Sequence, residues 1–147
     1  MKRIFFLLAF FILISINSLY TQWVEANYGL NKSTMNSIVV KDTCLYTSSL
    51  GYGIFKSTDE GSHWRQVNTG LVDNYIYSLA VKDNKLFAGG NGNVYMSTDD
   101  GENWVSIKDT IPTAYIVSLV VKDTVVYACT AGFGIYMTTN YGTSWKY

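Results

Sequence analysis

Three eight-residue stretches of this 147-residue chain are versions of one another, set at an almost constant spacing. Ser57-Thr58-Asp59-Glu60-Gly61-Ser62-His63-Trp64 returns as Ser97-Thr98-Asp99-Asp100-Gly101-Glu102-Asn103-Trp104. It returns again as Thr138-Thr139-Asn140-Tyr141-Gly142-Thr143-Ser144-Trp145. The tryptophans stand 40 and 41 residues apart, and Trp23 precedes Trp64 by 41. A second marker keeps the same period: Val40-Lys41-Asp42, Val81-Lys82-Asp83 and Val121-Lys122-Asp123. Two independent motifs in phase mean a chain of repeated supersecondary units, each burying its apolar surface on its neighbours.

The unit reads as four short antiparallel strands. In the middle copy the expected strands are 76–81, 85–88, 93–97 and 104–107, separated by Lys82-Asp83-Asn84, Gly89-Gly90-Asn91-Gly92 and the Asp99-Asp100-Gly101 turn. Third strands of the outer copies fall at 53–57 and 134–138. Aromatic residues make up 16% of the chain and Pro112 is its one proline, a composition suited to strands and tight turns. No part of the unit carries a 3.6-residue apolar period, which excludes helical solenoids of similar repeat length.

The repeated turn has a physical logic. Ser57 and Asp59, like Ser97 and Asp99, can fold their side-chain oxygens onto nearby backbone amides. Gly61, Gly101 and Gly142 supply a positive φ that other residues adopt only with strain. Trp64, Trp104 and Trp145 then open the fourth strand with an indole directed into the apolar layer, where burial removes about 150–250 Å² from water. These residues read as structural.

The motif resembles the Asp-box, or BNR repeat, of bacterial sialidases, sortilin-type receptors, some glycoside hydrolases and photosystem II assembly factors. The likeness covers residues 23–147, with Thr138 and Asn140 as conservative departures from Ser and Asp in the third copy. It implies an all-β fold in which each unit is one blade of a β-propeller. It also implies that the Asp-box joins the third and fourth strands on the face away from the ligand. The expected blades are 27–67, 68–107 and 108–147, with Trp23–Ala26 as an orphan outer strand. Propellers typically have about four to eight blades. Three blades and a strand are therefore expected to form an open or incomplete propeller: the N-terminal part of a longer one, a truncated product, or a short chain that assembles into a ring. Open blade faces favour self-association.

The N-terminus is a separate element. Lys2 and Arg3 precede an unbroken apolar run at 4–14, and polar residues follow at Ser15, Asn17 and Ser18. This pattern predicts a secretory signal peptide over residues 1–22; its apolar run at 4–14 is too short for a bilayer span of about 20 apolar residues. The mature chain is then expected to be secreted, periplasmic or at the cell surface, without a stable membrane span. Without Lys2 and Arg3, 9 basic residues face 11 acidic ones. No basic stripe remains, which argues against nucleic acid as a partner. Cys44 and Cys129 occupy non-equivalent positions of different units and read as small buried apolar residues rather than a disulfide.

Several chemistries lack their residues. The sialidase resemblance would require three arginines on the substrate carboxylate, yet Arg65 is the one arginine beyond the signal segment. His63 is the one histidine, in a turn position matched by Asn103 and Ser144, and no cysteine pair accompanies it. No metal site or cofactor is expected, and residues 99–103 lack the full spacing of a calcium loop. Most carboxylates sit in hairpins and repeated turns. Glu25, Asp73 and Asp109 remain; Asp73 and Asp109 lie in loops joining consecutive units, where two acids could serve glycoside hydrolysis or simply be solvated. Tyr28, Tyr52, Tyr75, Tyr115 and Phe133, interleaved with Gly and Asn, lie in loops expected on the ligand face. Aromatics on rigid loops suit sugar stacking or protein contact, and packing between blades is the alternative. The reading is a non-catalytic exported module that binds protein or glycan or scaffolds assembly, with a fragment of a propeller glycoside hydrolase as the alternative.

Overall fold

A computed structural model of the chain describes residues 25–30, 33–108 and 111–147. The expected signal peptide, Trp23 and Asp109 lie outside the described residues. Eleven strands are present and no helix, among the described residues. Strands β1 (Met35–Lys41), β2 (Cys44–Ser49), β3 (Gly53–Ser57) and β4 (Arg65–Gln66) form one antiparallel sheet in sequence order. Strands β5 (Ser78–Lys82), β6 (Lys85–Gly89), β7 (Val94–Ser97) and β8 (Val105–Ser106) repeat it. The third sheet holds β9 (Ile116–Lys122), β10 (Val125–Thr130) and β11 (Gly134–Thr138). Each unit is thus a meander whose side chains alternate between the two sheet faces.

The third unit departs from the expected four strands. Its outer strand is reduced to an isolated bridge in which Met137 and Lys146 exchange both backbone hydrogen bonds at 2.8 Å. In the first two units the corresponding pair is followed by a second rung, Phe55 with Gln66 and Tyr95 with Ser106. In the third, Tyr136 and Tyr147 meet instead through their rings, edge to face at 5.4 Å.

The core lies between sheets rather than inside one. One buried cluster joins Tyr46 and Ile54 of the first unit to Leu79, Leu86, Tyr95 and Trp104 of the second. A second joins Ala80, Phe87 and Val94 to Leu119, Val126 and Trp145. Alternation along β5 explains this, since Leu79 faces back to the first unit and Ala80 forward to the third. The two seams differ in chemistry. In the first, Lys41, 6% exposed, reaches Asp100 at 2.6 Å and Asp42 at 2.9 Å. Lys56 donates to the Asp100 carbonyl at 3.0 Å and to Glu102 at 3.2 Å, and Arg65 pairs with Glu102. The Tyr46 hydroxyl also donates to the Asp100 carbonyl, at 3.0 Å. In the second seam Tyr141 replaces the acid, stacks on Phe87 at 6.4 Å and receives the Lys85 ammonium on its ring at 4.9 Å.

The connections sort to two ends. Asp42, Asp83 and Asp123, at φ 52–54°, turn the first hairpin of each unit, as the sequence predicts. The Ser/Thr-x-Asp/Asn-x-Gly-x-x-Trp turns share that end, because the strands alternate in direction. The opposite end carries the loops after β2, β6 and β10 and the links between units. Cys44 and Cys129 are half-buried free thiols in different sheets.

Candidate functional site

Two sets of residues merit description: the repeated turns at one end and the aromatic loops at the other. In the first turn the Ser57 hydroxyl donates to Asp59 Oδ1 at 2.9 Å and accepts the Gly61 amide at 2.9 Å. Asp59 Oδ1 also accepts the His63 amide at 2.8 Å. Ser97, Asp99, Gly101 and Asn103 repeat the pattern at 2.9 Å throughout. Thr138, Asn140, Gly142 and Ser144 repeat it at 2.7–3.0 Å, so an amide oxygen at Asn140 replaces the carboxylate without loss of a bond. Positive φ is shared by two residues per turn, Glu60 with Gly61, Asp100 with Gly101 and Tyr141 with Gly142.

Each tryptophan reaches outside its own unit. The indole N–H of Trp104 donates to the Val67 carbonyl at 2.9 Å and that of Trp145 to the Ile107 carbonyl at 2.8 Å, the carbonyls lying just beyond β4 and β8. Trp64 donates likewise to Ala26 at 2.9 Å, so residues 25–30 cover it as a preceding unit's outer strand would. The indoles are buried, and the one donor of each meets a backbone carbonyl.

A glycine pair that the repeat contains, but that the sequence reading did not single out, completes this joint. Asn27-Tyr28-Gly29-Leu30 and Asn68-Thr69-Gly70-Leu71 stand 41 residues apart. The Tyr28 and Thr69 carbonyls accept the backbone amides of Trp64 and Trp104 at 2.9 and 2.8 Å. Tyr28 therefore lies beside a repeated turn, with its ring edge-on to His63 at 4.9 Å, and away from the inter-unit loops where the sequence put it.

The turn carboxylates are held as anions. The His63 amide, followed by its ring, lowers Asp59 to about 2. The Asn103 side chain lowers Asp99, the Lys41 ammonium lowers Asp100, and Arg65 lowers Glu102. A carboxyl group with a depressed folded pKa stabilises the fold above its ordinary pKa and loses that contribution as pH falls through the folded value. The urea midpoint is therefore expected to be flat above about pH 5 and to fall between about pH 4 and 2. Asp59→Asn should keep the turn, as Asn140 does, and shift part of that acid sensitivity away; a denaturation series against pH reads both.

At the opposite end, links and loops are cross-bridged. Leu50 bridges to Tyr75 and Asn91 to Tyr115. The amides of Gly51 and Gly53 donate to Asn74 at 3.0 and 2.9 Å, and the Gly92 amide to Ala114 at 2.7 Å. The Asn68 side chain ties the loop after β2 from inside, accepting the Ile54 amide at 2.8 Å and donating to the Tyr52 carbonyl at 2.9 Å. On this braced backbone Tyr52, Tyr75 and Tyr115 are exposed, and Phe133 is exposed in the loop after β10. Tyr75 lies close to Gly51, next in sequence to Tyr52. Tyr115 meets Tyr77, a residue the sequence reading passed over, at 5.0 Å between ring centroids. Burial, then the neighbouring Tyr115, pushes the Tyr77 phenol up. Asp73 joins this end and caps its own link, its Oδ1 accepting the Tyr75 amide at 2.9 Å. Arg65 does not share the site: it is committed to Glu102 in the first seam.

Antiparallel four-stranded meanders stacked through repeated indole joints define a β-propeller segment. Residues 20–147 match the DUF6242 beta propeller domain, and the chain belongs to that family. No curated protein matches the chain. Among solved structures it is similar to an ancestral GH74 enzyme, 23% identical over 86% of this chain and 19% of that one, with a TM-score of 0.67. It is similar to YCF48 bound to D1 peptide, 18% identical over 81% of this chain and 42% of that one, also at 0.67. The extracellular domain of a proposed one-component system from B. thetaiotaomicron matches at 17% identity over 76% of this chain and 16% of that one, at 0.63. The chain thus spans about a fifth to two fifths of the first two neighbours. At these identities the likeness concerns the fold.

Proposed function

We propose that the chain is an exported, non-catalytic propeller segment that binds a protein segment through its tyrosine-lined end. The observation that carries this reading is the set of exposed rings at Tyr52, Tyr75 and Tyr115 on loops whose backbones are hydrogen-bonded across units, with Phe133 exposed at the same end. Rings on a braced backbone lose little conformational entropy on binding and offer both apolar area and a hydroxyl. The neighbour solved with a peptide supports a protein ligand. The apolar N-terminal run of the sequence and the extracellular neighbour support export. On this reading the repeated turns are Asp-boxes and serve as scaffold at the far end.

Glycan hydrolysis is the second reading, favoured by the GH74 neighbour. It would need paired carboxylates. At the tyrosine-lined end the described residues supply Asp73, one of whose oxygens is engaged by the Tyr75 amide.

Peptides selected from a random library against the purified chain test the proposal. Tyr75→Ala and Tyr115→Ala are each expected to weaken the selected peptides by about tenfold, the loss of one aromatic anchor, while leaving the urea midpoint unchanged. Unchanged affinity in both variants would overturn the assignment of the site. Release of sugar by the wild-type chain on a glycan panel, abolished in Asp73→Asn, would replace the proposal with the hydrolase reading.

A further inference from the structure

The tyrosine-lined end carries rings and an acid but no base. The loops at 50–52, 90–93 and 131–133 and the links at 67–77 and 111–115 hold no lysine, arginine or histidine, and Asp73 is their one charged residue. The link after β8 opens with Lys108 and Asp109, one charge of each sign. We propose that the partner segment enters this end by a basic side chain, arginine in preference to lysine, seated on Asp73 and the rings of Tyr75, Tyr77 and Tyr115, a reading that rests on the protein-binding site proposed above.

Asp73 is held in place and lacks a counter-charge. Its neighbours in the link are pinned: the Val72 amide donates to the hydroxyl of the buried Tyr95 at 3.3 Å, and the Asn74 carbonyl accepts the amides of Gly51 and Gly53. Its own Oδ1 accepts the Tyr75 amide, so the carboxylate is aimed by the backbone it caps. Among the described residues every other aspartate and glutamate is exposed, whereas Asp73 is half-buried. Among the same residues it has no ion-pair partner, and its Oδ2 accepts no hydrogen bond. A charge held partly out of water gains from a cation brought to it.

The rings stand where such a cation would arrive. Tyr77 and Tyr115 meet at 5.0 Å with their planes inclined by 38°. Burial raises the Tyr77 phenol most, and then Tyr115, Asp73 and Tyr75 raise it in turn, which puts all three around it. Ring faces attract cations. A guanidinium can stack on one ring while donating its N–H groups to a carboxylate, and an ammonium lacks that planar fork. A sugar would stack on the same rings but bring no charge to Asp73.

Peptide selection with and without basic residues tests this. Random-library peptides that bind the wild-type chain are expected to share an arginine or lysine at one position. Replacing an arginine there by citrulline, which keeps the shape and loses the charge, should weaken binding by about tenfold; replacement by lysine should weaken it less. Asp73→Asn keeps an oxygen for the Tyr75 amide, so the urea midpoint should hold. It should cost the arginine peptide about tenfold and the citrulline peptide little. Added salt should weaken the arginine peptide and spare the citrulline one. Selected peptides without a basic position that still lose affinity in Tyr75→Ala would leave the binding site standing and overturn the basic anchor. Equal losses for arginine and citrulline peptides in Asp73→Asn would also overturn the anchor. Failure to select any peptide that depends on Tyr75 or Tyr115 would overturn both site and anchor.

Discussion

Trp104→Ala is expected to lose about 3–5 kcal/mol of folding stability, the usual cost of deleting a buried large aromatic side chain. Trp104 is 2% exposed and joins a cluster drawn from two units. Its removal opens a cavity in the seam rather than within one sheet, and orphans the Val67 carbonyl that its indole N–H caps. Domains of this size carry about 5–15 kcal/mol in total, so the variant should unfold at a much lower urea concentration. Trp104→Phe separates the two contributions. It keeps most of the buried area and loses the hydrogen bond, with an expected cost of about 1–3 kcal/mol for an unsatisfied buried carbonyl. Equal losses in both variants would mean that the bond, not the burial, dominates the joint.

Gly70→Ala is expected to cost about 3 kcal/mol or more, from two sources that add. Residue 70 sits at φ +91°, where a side chain is strained, worth about 1–3 kcal/mol. A Cβ there would also overlap the backbone carbonyl of Trp104, which cannot swing aside as a side chain could. Gly132 provides the control within the same molecule. It has φ +90° with nothing within 4 Å of the added atom, so Gly132→Ala carries the strain alone, about 1–3 kcal/mol. Thermal or urea unfolding of the two variants reads the difference as the steric share. Gly70→Ala no worse than Gly132→Ala would contradict the close approach of the segment after β4 to the Trp104 carbonyl.

Much of this fold was legible because its determinants are local and recur. The period of 40 to 41 residues, the hairpin aspartates at 42, 83 and 123, and the third strands at 53–57 and 134–138 all follow from turn chemistry within a few residues. What escaped the sequence depends on partners far along the chain. Lysine recurs at 41, 82 and 122, yet only Lys41 is buried in an ion pair, because its partner 59 residues away is Asp100 while the second seam has Tyr141. The Gly29 and Gly70 repeat was visible as a pattern, but its purpose lies in the carbonyls of Trp64 and Trp104, far along the chain. At the candidate site the loop position of Tyr52, Tyr75 and Tyr115 could be read from the repeat, whereas the pairing of Tyr77 with Tyr115 needed the link geometry. Tyr28 misled because its loop resembles the others in composition while its carbonyl is bound to Trp64.

The account depends on indoles that cross from each unit to the tail of the one before it. Hydrogen exchange of the indole N–H signals, followed by NMR and assigned through Trp→Phe variants, tests this directly. Trp64, Trp104 and Trp145 are expected to exchange slowly, Trp104 slowest, and each signal is expected to persist until global unfolding. Exchange of Trp104 and Trp145 at the rate of a solvated indole, in a chain with intact β structure, would contradict the joint and with it the stacking of the units.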